Sequence, residues 1–138
     1  MSNHTSIAIL EDEAFIALDL EESLRDAGFK IAGVFSSCAA ALVWLKDNSP
    51  NVVVMDIELA DGDCADIATL LHARDIPFVV HSASFANSGF HDPIFLHGTW
   101  VAKPGSPSDL RNAIHTSLAT ANDDDVSRPA KAQAGKAS

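Results

Sequence analysis

The chain has 138 residues, a hydrophobic content of 47% and a formal net charge of −10 at pH 7. This length fits one domain with a buried core. The sequence contains neither a basic leader before an apolar segment nor an apolar run of membrane-spanning length, so we expect a cytoplasmic protein without membrane insertion. Residues 1–120 carry the whole net charge, with 16 acidic and six Lys or Arg side chains. Because phosphate neutralisation supplies most nucleic-acid affinity, we expect no direct nucleic-acid binding.

The first half of the chain alternates predicted strands with predicted helices. Residues 6–10 form a short apolar run that ends at Glu11-Asp12-Glu13. Residues 14–27 follow with apolar side chains at helical spacing, and Gly28 is a typical stop. Residues 30–35 are a second strand, and residues 38–48 a second helix that ends before a proline.

The third predicted strand is Val52-Val53-Val54-Met55, which ends at Asp56. Three of its four apolar residues are β-branched, and turn residues flank it on both sides. Such a run is typical of a strand that is buried on both faces. Ligands of open parallel sheets bind at the carboxyl ends of the strands. The pattern therefore predicts that Asp56 is the reactive group.

The second half continues the alternation. We predict a helix over residues 63–72 with Asp63 as its cap, a fourth strand over residues 76–81 that leads to Ser82, and an irregular stretch over residues 85–98. A fifth strand, residues 99–102, ends at Lys103. The last helix begins with Ser106 as its cap and Pro107 at the first position. From Ala121 the periodicity is lost, which predicts a domain over residues 1–120 and a disordered tail over residues 121–138.

Five strands that alternate with helices predict an α/β fold, in which helices cover both faces of a parallel sheet. The carboxyl ends of these strands meet at one edge of the sheet. They bring together five side chains with complementary chemistry: Glu11, Asp12, Asp56, Ser82 and Lys103.

This set of side chains suits phosphoryl transfer. Two carboxylates about 4 Å apart repel by roughly 4 kcal/mol at an effective dielectric near 20, so the acidic cluster calls for a cation. Carboxylate oxygens suit Mg²⁺, Lys103 supplies a fixed positive charge, and Ser82 a hydroxyl donor. Attack of Asp56 on phosphorus would yield an acyl phosphate. Taken singly, each feature is more often an ordinary helix cap or turn.

With these residues in this order, the chain resembles the receiver domain of two-component response regulators over residues 6–120. Five motifs of that family have counterparts here. The matching residues are Glu11-Asp12-Glu13 for the acidic metal-binding motif, Asp56 for the phosphoacceptor, Ser82-Ala83 for the Ser/Thr-Ala motif, Trp100 for the switch aromatic and Lys103-Pro104 for the lysine with its proline.

The resemblance implies a flavodoxin-like, doubly wound sheet of five parallel strands in the order 2-1-3-4-5. It implies Mg²⁺ held directly by Asp12, Asp56 and the backbone carbonyl of Glu58, and by Glu11 through water. The phosphoryl donor would be a sensor histidine kinase or a phosphotransfer protein. The chain would be a phosphoacceptor signalling protein, not an enzyme, that assists its own Mg²⁺-dependent phosphorylation and dephosphorylation.

The resemblance also implies a switch, in which Ser82 turns towards the phosphoryl group and Trp100 moves inward. We expect a stand-alone receiver that acts on an unknown downstream protein as a relay, a phosphate sink or a partner-binding switch. The chain departs from the family pattern in two places, a loop after Asp56 without its usual proline and the irregular residues 85–98. Together with Pro77-Phe78 at the start of the fourth strand, these two features resemble the single-domain regulators of alphaproteobacteria with a FATGUY-type motif. Ser84-Phe85 fits that motif poorly.

Two other readings remain open at this point. One is an aspartate phosphatase of the haloacid dehalogenase type, which also forms an acyl phosphate. That family has a second aspartate two residues after a nucleophile on the first strand, whereas this chain has Glu58 after the third. The other is a receiver-like scaffold that binds partners without phosphorylation.

Three further residues are assigned no role. Cys38 and Cys64 share no short metal or redox spacing, so we expect free buried thiols. His81 precedes Ser82, and the alternation of a strand directs the two side chains to opposite faces.

Overall fold

Five parallel strands form the centre of the structure, a computed structural model that describes residues 5–82, 92–103 and 106–127, the last seven by their backbone course only. Helices and a small hairpin surround this sheet. In chain order the elements are β1 (Ser6–Leu10), α1 (Ala14–Asp26), β2 (Lys30–Phe35), α2 (Cys38–Leu45), β3 (Val52–Met55), β4 (Glu58–Leu59), β5 (Gly62–Asp63), α3 (Ala65–Ala73), β6 (Phe78–Ser82), a 3₁₀ helix (Pro93–His97), β7 (Thr99–Ala102) and α4 (Pro107–Ser127).

The order of the strands in the sheet is β2-β1-β3-β6-β7, and every neighbouring pair is parallel. Counted as the five strands of the sequence analysis, this is the order 2-1-3-4-5. The prediction of a flavodoxin-like, doubly wound sheet is therefore confirmed. The antiparallel pair β4 and β5 forms a separate two-stranded sheet that the sequence analysis did not predict.

The strands are apolar on both faces because each face is covered by a different pair of helices. On one face, Ala8 and Leu10 of β1 belong to the same core cluster as residues of α2 and α3. On the other, Ile7 and Ile9 share a cluster with residues of α1 and α4. The alternation of side chains along a strand thus divides one short apolar run between two cores.

Several element boundaries differ from the predicted ones. The third helix runs over Ala65–Ala73 with Cys64 as its N-cap, so the prediction of Asp63 as the cap was wrong, although Asp63 Oδ1 accepts a hydrogen bond from Ala65 N. The second helix ends at Leu45, earlier than predicted, where Lys46 is its C-cap. The fourth strand runs over Phe78–Ser82, so Ser82 lies within it. The irregular stretch after it contains the 3₁₀ helix Pro93–His97, which begins with Asp92 accepting a hydrogen bond from Ile94 N.

The last helix begins as predicted. Ser106 Oγ accepts a hydrogen bond from Asp109 N at 3.1 Å, and Asp109 Oδ2 accepts one from Ser106 N at 3.2 Å, which is a capping box. The helix continues to Ser127, so the predicted start of a disordered tail at Ala121 lies inside it. Propagation adds one hydrogen bond per residue and needs no apolar period. The helix therefore extends beyond the apolar periodicity from which its end was predicted.

Several predicted features lie outside the described residues. These are Ala83 of the Ser-Ala motif, the pair Ser84-Phe85, Pro104 after the lysine, and the final residues 128–138 of the predicted tail. Within the described part of the chain, no helix combines the length and the apolar character needed to cross a membrane.

Candidate phosphoacceptor site

Strand register brings the predicted site residues to one edge of the sheet. Leu10 of β1 pairs with Met55 of β3, so the residues that follow them, Glu11 and Asp56, leave the sheet side by side. Asp56 N donates a hydrogen bond to Leu10 O at 3.1 Å, which continues the ladder by one residue. At the other side of the site, Lys103 N donates to Ser82 O at 2.9 Å.

Lys103 joins the two acidic strand ends through its ammonium group. Its Nζ lies 2.7 Å from Glu11 Oε1 and 2.8 Å from Asp56 Oδ2. The three side chains are largely buried, with exposed fractions of 14% for Lys103, 2% for Glu11 and 19% for Asp56. Burial alone would lower the pKa of Lys103, but the hydrogen bonds and charges of Asp56 and Glu11 outweigh it and raise this pKa. The ammonium therefore stays charged at neutral pH.

The second oxygen of each carboxylate is held by a backbone amide. Glu11 Oε2 accepts a hydrogen bond from Glu13 N at 3.1 Å, at the N-terminus of α1. Asp56 Oδ1 accepts one from Ile57 N at 2.7 Å. Both carboxylates are thus fixed in orientation. Asp56 is the more exposed of the two.

The remaining predicted metal-binding residues lie at the surface. Asp12 and Glu58 are exposed, whereas Glu11 turns inward to Lys103. In the three described stretches of chain, no group of three or more His, Cys, Asp and Glu side chains could hold a metal ion. The predicted set uses two carboxylates, Asp12 and Asp56, with the backbone carbonyl of Glu58. Its hard oxygen donors fit Mg²⁺, and the metal remains a prediction.

The two predicted switch residues lie on neighbouring strands. Ser82, the last residue of β6, is 5% exposed and pairs with Ala102 of β7. Trp100 lies on β7, and its indole Nε1 donates a hydrogen bond to Phe95 O of the 3₁₀ helix at 2.9 Å. Because Phe95 is fully buried, this hydrogen bond anchors the indole to a residue of the core. An inward movement of Trp100 would have to replace this hydrogen bond.

The loop after Asp56 contains a feature that the sequence analysis missed. It folds into the β4–β5 hairpin, in which Gly62 has a φ of 131° that favours glycine. From its turn, Asp61 Oδ1 accepts a hydrogen bond from Cys38 N at 2.8 Å and Oδ2 accepts one from Ala39 N at 3.0 Å. These two bonds hold the pKa of Asp61 below its ordinary value. The hairpin thereby caps α2.

His81 is buried beside the site without a hydrogen bond on either ring nitrogen within the described structure. It is 5% exposed and, with Lys103, lines a cavity of about 560 Å³ between α1 and α4. Burial lowers its pKa, the charge of Lys103 lowers it further, and the charge of Asp56 partly offsets them. The cavity is bounded by helices that pack on the face opposite to α2 and α3, which agrees with the predicted orientation of His81.

A family model described as the response regulator receiver domain matches residues 7–115. The chain is 30% identical over 114 residues to the transcriptional regulatory protein PdtaR of Mycobacterium tuberculosis, covering 81% of this chain and 56% of that protein. It is 30% identical over 120 residues to the phyllosphere-induced regulator PhyR of Methylorubrum extorquens, covering 83% and 43%.

Among solved structures, the response regulator PhyR from Brucella abortus superimposes with a TM-score of 0.76 at 27% identity, over 91% of this chain and 52% of that chain. The chain thus spans about half the length of the curated relatives that it matches.

The buried His81 predicts a pH dependence of stability. In the unfolded chain an imidazole takes up a proton as the pH falls through about 6.5, whereas the folded environment opposes that proton. The unfolded state then binds more protons, so the free energy of unfolding falls with the pH. Urea unfolding between about pH 7.5 and about pH 5.5 should show a larger loss for the wild type than for His81→Leu. An equal loss of stability in the wild type and in His81→Leu would contradict a lowered pKa of His81.

Proposed function

The chain belongs to the response regulator receiver domain family, and on that premise we propose that it accepts a phosphoryl group on Asp56 from a sensor histidine kinase or a phosphotransfer protein. The observation that carries the proposal is the contact of Lys103 with both Glu11 and Asp56. It joins a partly exposed carboxylate nucleophile to a fixed positive charge. The domain then signals through protein contacts, as a relay, a phosphate sink or a switch.

The geometry of Asp56 supports its role as the nucleophile. An oxygen of Asp56 attacks phosphorus, the bond from phosphorus to the imidazole nitrogen of the donor breaks, and its electron pair stays with the imidazole. The product is an acyl phosphate. Transfer of this kind depends on positioning and charge stabilisation. Ile57 N orients the carboxylate, and Lys103 lies where it can neutralise a phosphoryl oxygen.

The chemistry of the donor set supports a Mg²⁺ ion at this edge. Asp12, Asp56 and the backbone carbonyl of Glu58 would be direct ligands. Both oxygens of Glu11 accept protein hydrogen bonds, so Glu11 would reach the ion through water. When bound, the ion supplies positive charge that neutralises phosphoryl oxygens. In this way the domain assists its own phosphorylation and dephosphorylation.

The surface next to the site supports docking of a helical donor. On α1, Phe15 is 89% exposed and Leu18 is 53% exposed. Large apolar side chains with this exposure are typical of a contact surface when they adjoin a functional site. Phe15 also lines the cavity that contains Lys103. We assign this α1 patch, Phe15 with Leu18, to the kinase or phosphotransfer protein.

The switch uses Ser82 and Trp100. Phosphorylation adds about −1.5 to −2 charges to the edge of the sheet, and the Ser82 hydroxyl turns to the new oxygens. Trp100 then moves inward and loses its hydrogen bond with Phe95 O. This remodels the face formed by the 3₁₀ helix, β7 and α4, to which an unknown downstream protein binds. The expectation that the domain acts without an attached output domain stays a prediction.

Labelling of the full chain by acetyl phosphate tests the phosphoacceptor. With Mg²⁺ present we expect one phosphoryl group per chain, loss of labelling in Asp56→Asn, and loss in the wild type after chelation by EDTA. Asp66→Asn, an exposed aspartate on α3, is the matched control and should label like the wild type. Intact-mass spectrometry measures the product. Undiminished labelling of Asp56→Asn would refute the proposal.

Phosphotransfer from an autophosphorylated sensor histidine kinase tests the α1 patch. Phe15→Ser should slow transfer by about tenfold, which corresponds to about 1.4 kcal/mol of lost contact energy. Labelling by acetyl phosphate, which needs no docking, should not change. Val43→Ser is the control, since Val43 is 64% exposed but lies on α2, across the sheet. Equal slowing by both substitutions would contradict a specific docking surface.

Fluorescence of Trp100 distinguishes a switch from a scaffold that works unphosphorylated. The chain has two tryptophans, and Trp44→Phe leaves Trp100 as the sole emitter. Addition of beryllofluoride with Mg²⁺ should change the emission, because the indole leaves Phe95 O. The double variant Trp44→Phe with Asp56→Asn should not respond. A constant emission, with Mg²⁺ binding shown by calorimetry, would favour the scaffold.

A further inference from the structure

The two cysteines of the chain meet between separate elements. Cys38 is the first residue of α2 and Cys64 is the N-cap of α3, yet their Sγ atoms lie 2.8 Å apart. Both are free thiols. An S–S bond is about 2.05 Å long, so the sulfurs need to approach by only about 0.8 Å.

The backbone on both sides of this contact is already held in place. Asp61 accepts hydrogen bonds from the amides of Cys38 and Ala39, which attaches the β4–β5 hairpin to the start of α2. Cys64 N donates to Ile57 O at 2.7 Å, at the other end of the hairpin. A covalent bond between the sulfurs would therefore join two segments that the fold has already docked.

We propose that Cys38 and Cys64 are a redox-active pair that forms a reversible intramolecular disulfide when the protein meets a low-molecular-weight disulfide such as oxidised glutathione. The proposal is independent of the phosphoacceptor function. It assigns a modification site to residues that the phosphoacceptor site does not use.

The reaction is a thiol–disulfide exchange in two steps. Cys38, which is partly exposed, attacks one sulfur of the small disulfide as its thiolate and expels a thiolate. Cys64, which is fully buried against Cys38, then attacks Cys38 Sγ and expels the second thiolate. The two electrons and two protons of the cysteine pair pass to the small disulfide, which becomes two thiols.

The surroundings set the rate of this exchange. Burial raises the pKa of the Cys38 thiol; the hydrogen bond with Cys64 offsets part of this rise, and Asp61 adds to it. The pKa of Cys64 is raised as well, mainly by burial. Because the thiolate is the attacking species, the raised pKa values lower its population at neutral pH and slow the exchange. The product ties the loop that follows Asp56 to α2.

The experiment equilibrates the full reduced chain in glutathione buffers of increasing oxidised fraction, followed by alkylation in acid and intact-mass spectrometry. We expect a monomer with both thiols protected, a Cys38–Cys64 peptide in the non-reducing digest, and reversal by dithiothreitol. The cysteines are 26 residues apart, so the oxidised form should melt about 10 °C higher than the reduced form.

Single substitutions distinguish Cys38, which attacks the small disulfide, from Cys64, which completes the intramolecular disulfide. Cys64→Ala should accumulate glutathione on Cys38 as a mixed disulfide, and Cys38→Ser should leave the buried Cys64 unmodified. Because Cys64→Ala alters the core, circular dichroism checks its fold, and the melting shift of the wild type with and without dithiothreitol stands without it. Free alkylation of both thiols in the most oxidising buffer, or disulfides only between two chains, would overturn the proposal.

Discussion

The ammonium group of Lys103 is the element on which this site depends. It lies between Glu11 and Asp56, two carboxylates that strand register places side by side. Without it, Glu11 would be a buried charge with no counter-ion, and removal of one partner from a buried pair costs about 3–5 kcal/mol. The same ammonium contacts Asp56 Oδ2, so it would lie beside a phosphoryl group carried by this carboxylate. One cation therefore stabilises the acidic site and, in the proposed function, would supply charge for phosphoryl transfer.

The sheet makes this arrangement possible because its strands are parallel and covered on both faces. All carboxyl ends then point to one edge, and backbone bonds such as Asp56 N to Leu10 O and Lys103 N to Ser82 O carry the strand order beyond the last apolar residue. The side chains of the site lie on backbone that is fixed by the core. Preorganisation of this kind is what charge stabilisation requires.

The segment after Asp56 couples the site to the rest of the domain. Its hairpin caps α2 through Asp61, and Cys64 ends it in contact with Cys38. On the opposite face, His81 lies beside Lys103 between α1 and α4, where burial lowers its pKa. The reactive edge is thus bordered by a thiol contact on one face of the sheet and by a cavity on the other.

The sequence alone determined the α/β class, the order of the five strands by resemblance to a family, and the residues at the strand ends. It could do so because short apolar runs that stop at Asp56 or Lys103 are local patterns. It did not predict the β4–β5 hairpin, the length of α4, or the contact between Cys38 and Cys64. Those features depend on long-range packing, since Cys38 and Cys64 are 26 residues apart and only docking of the hairpin on α2 brings their sulfurs together. Likewise, the pairing of Glu11 with Lys103 spans 92 residues, and strand register in the folded sheet decided it.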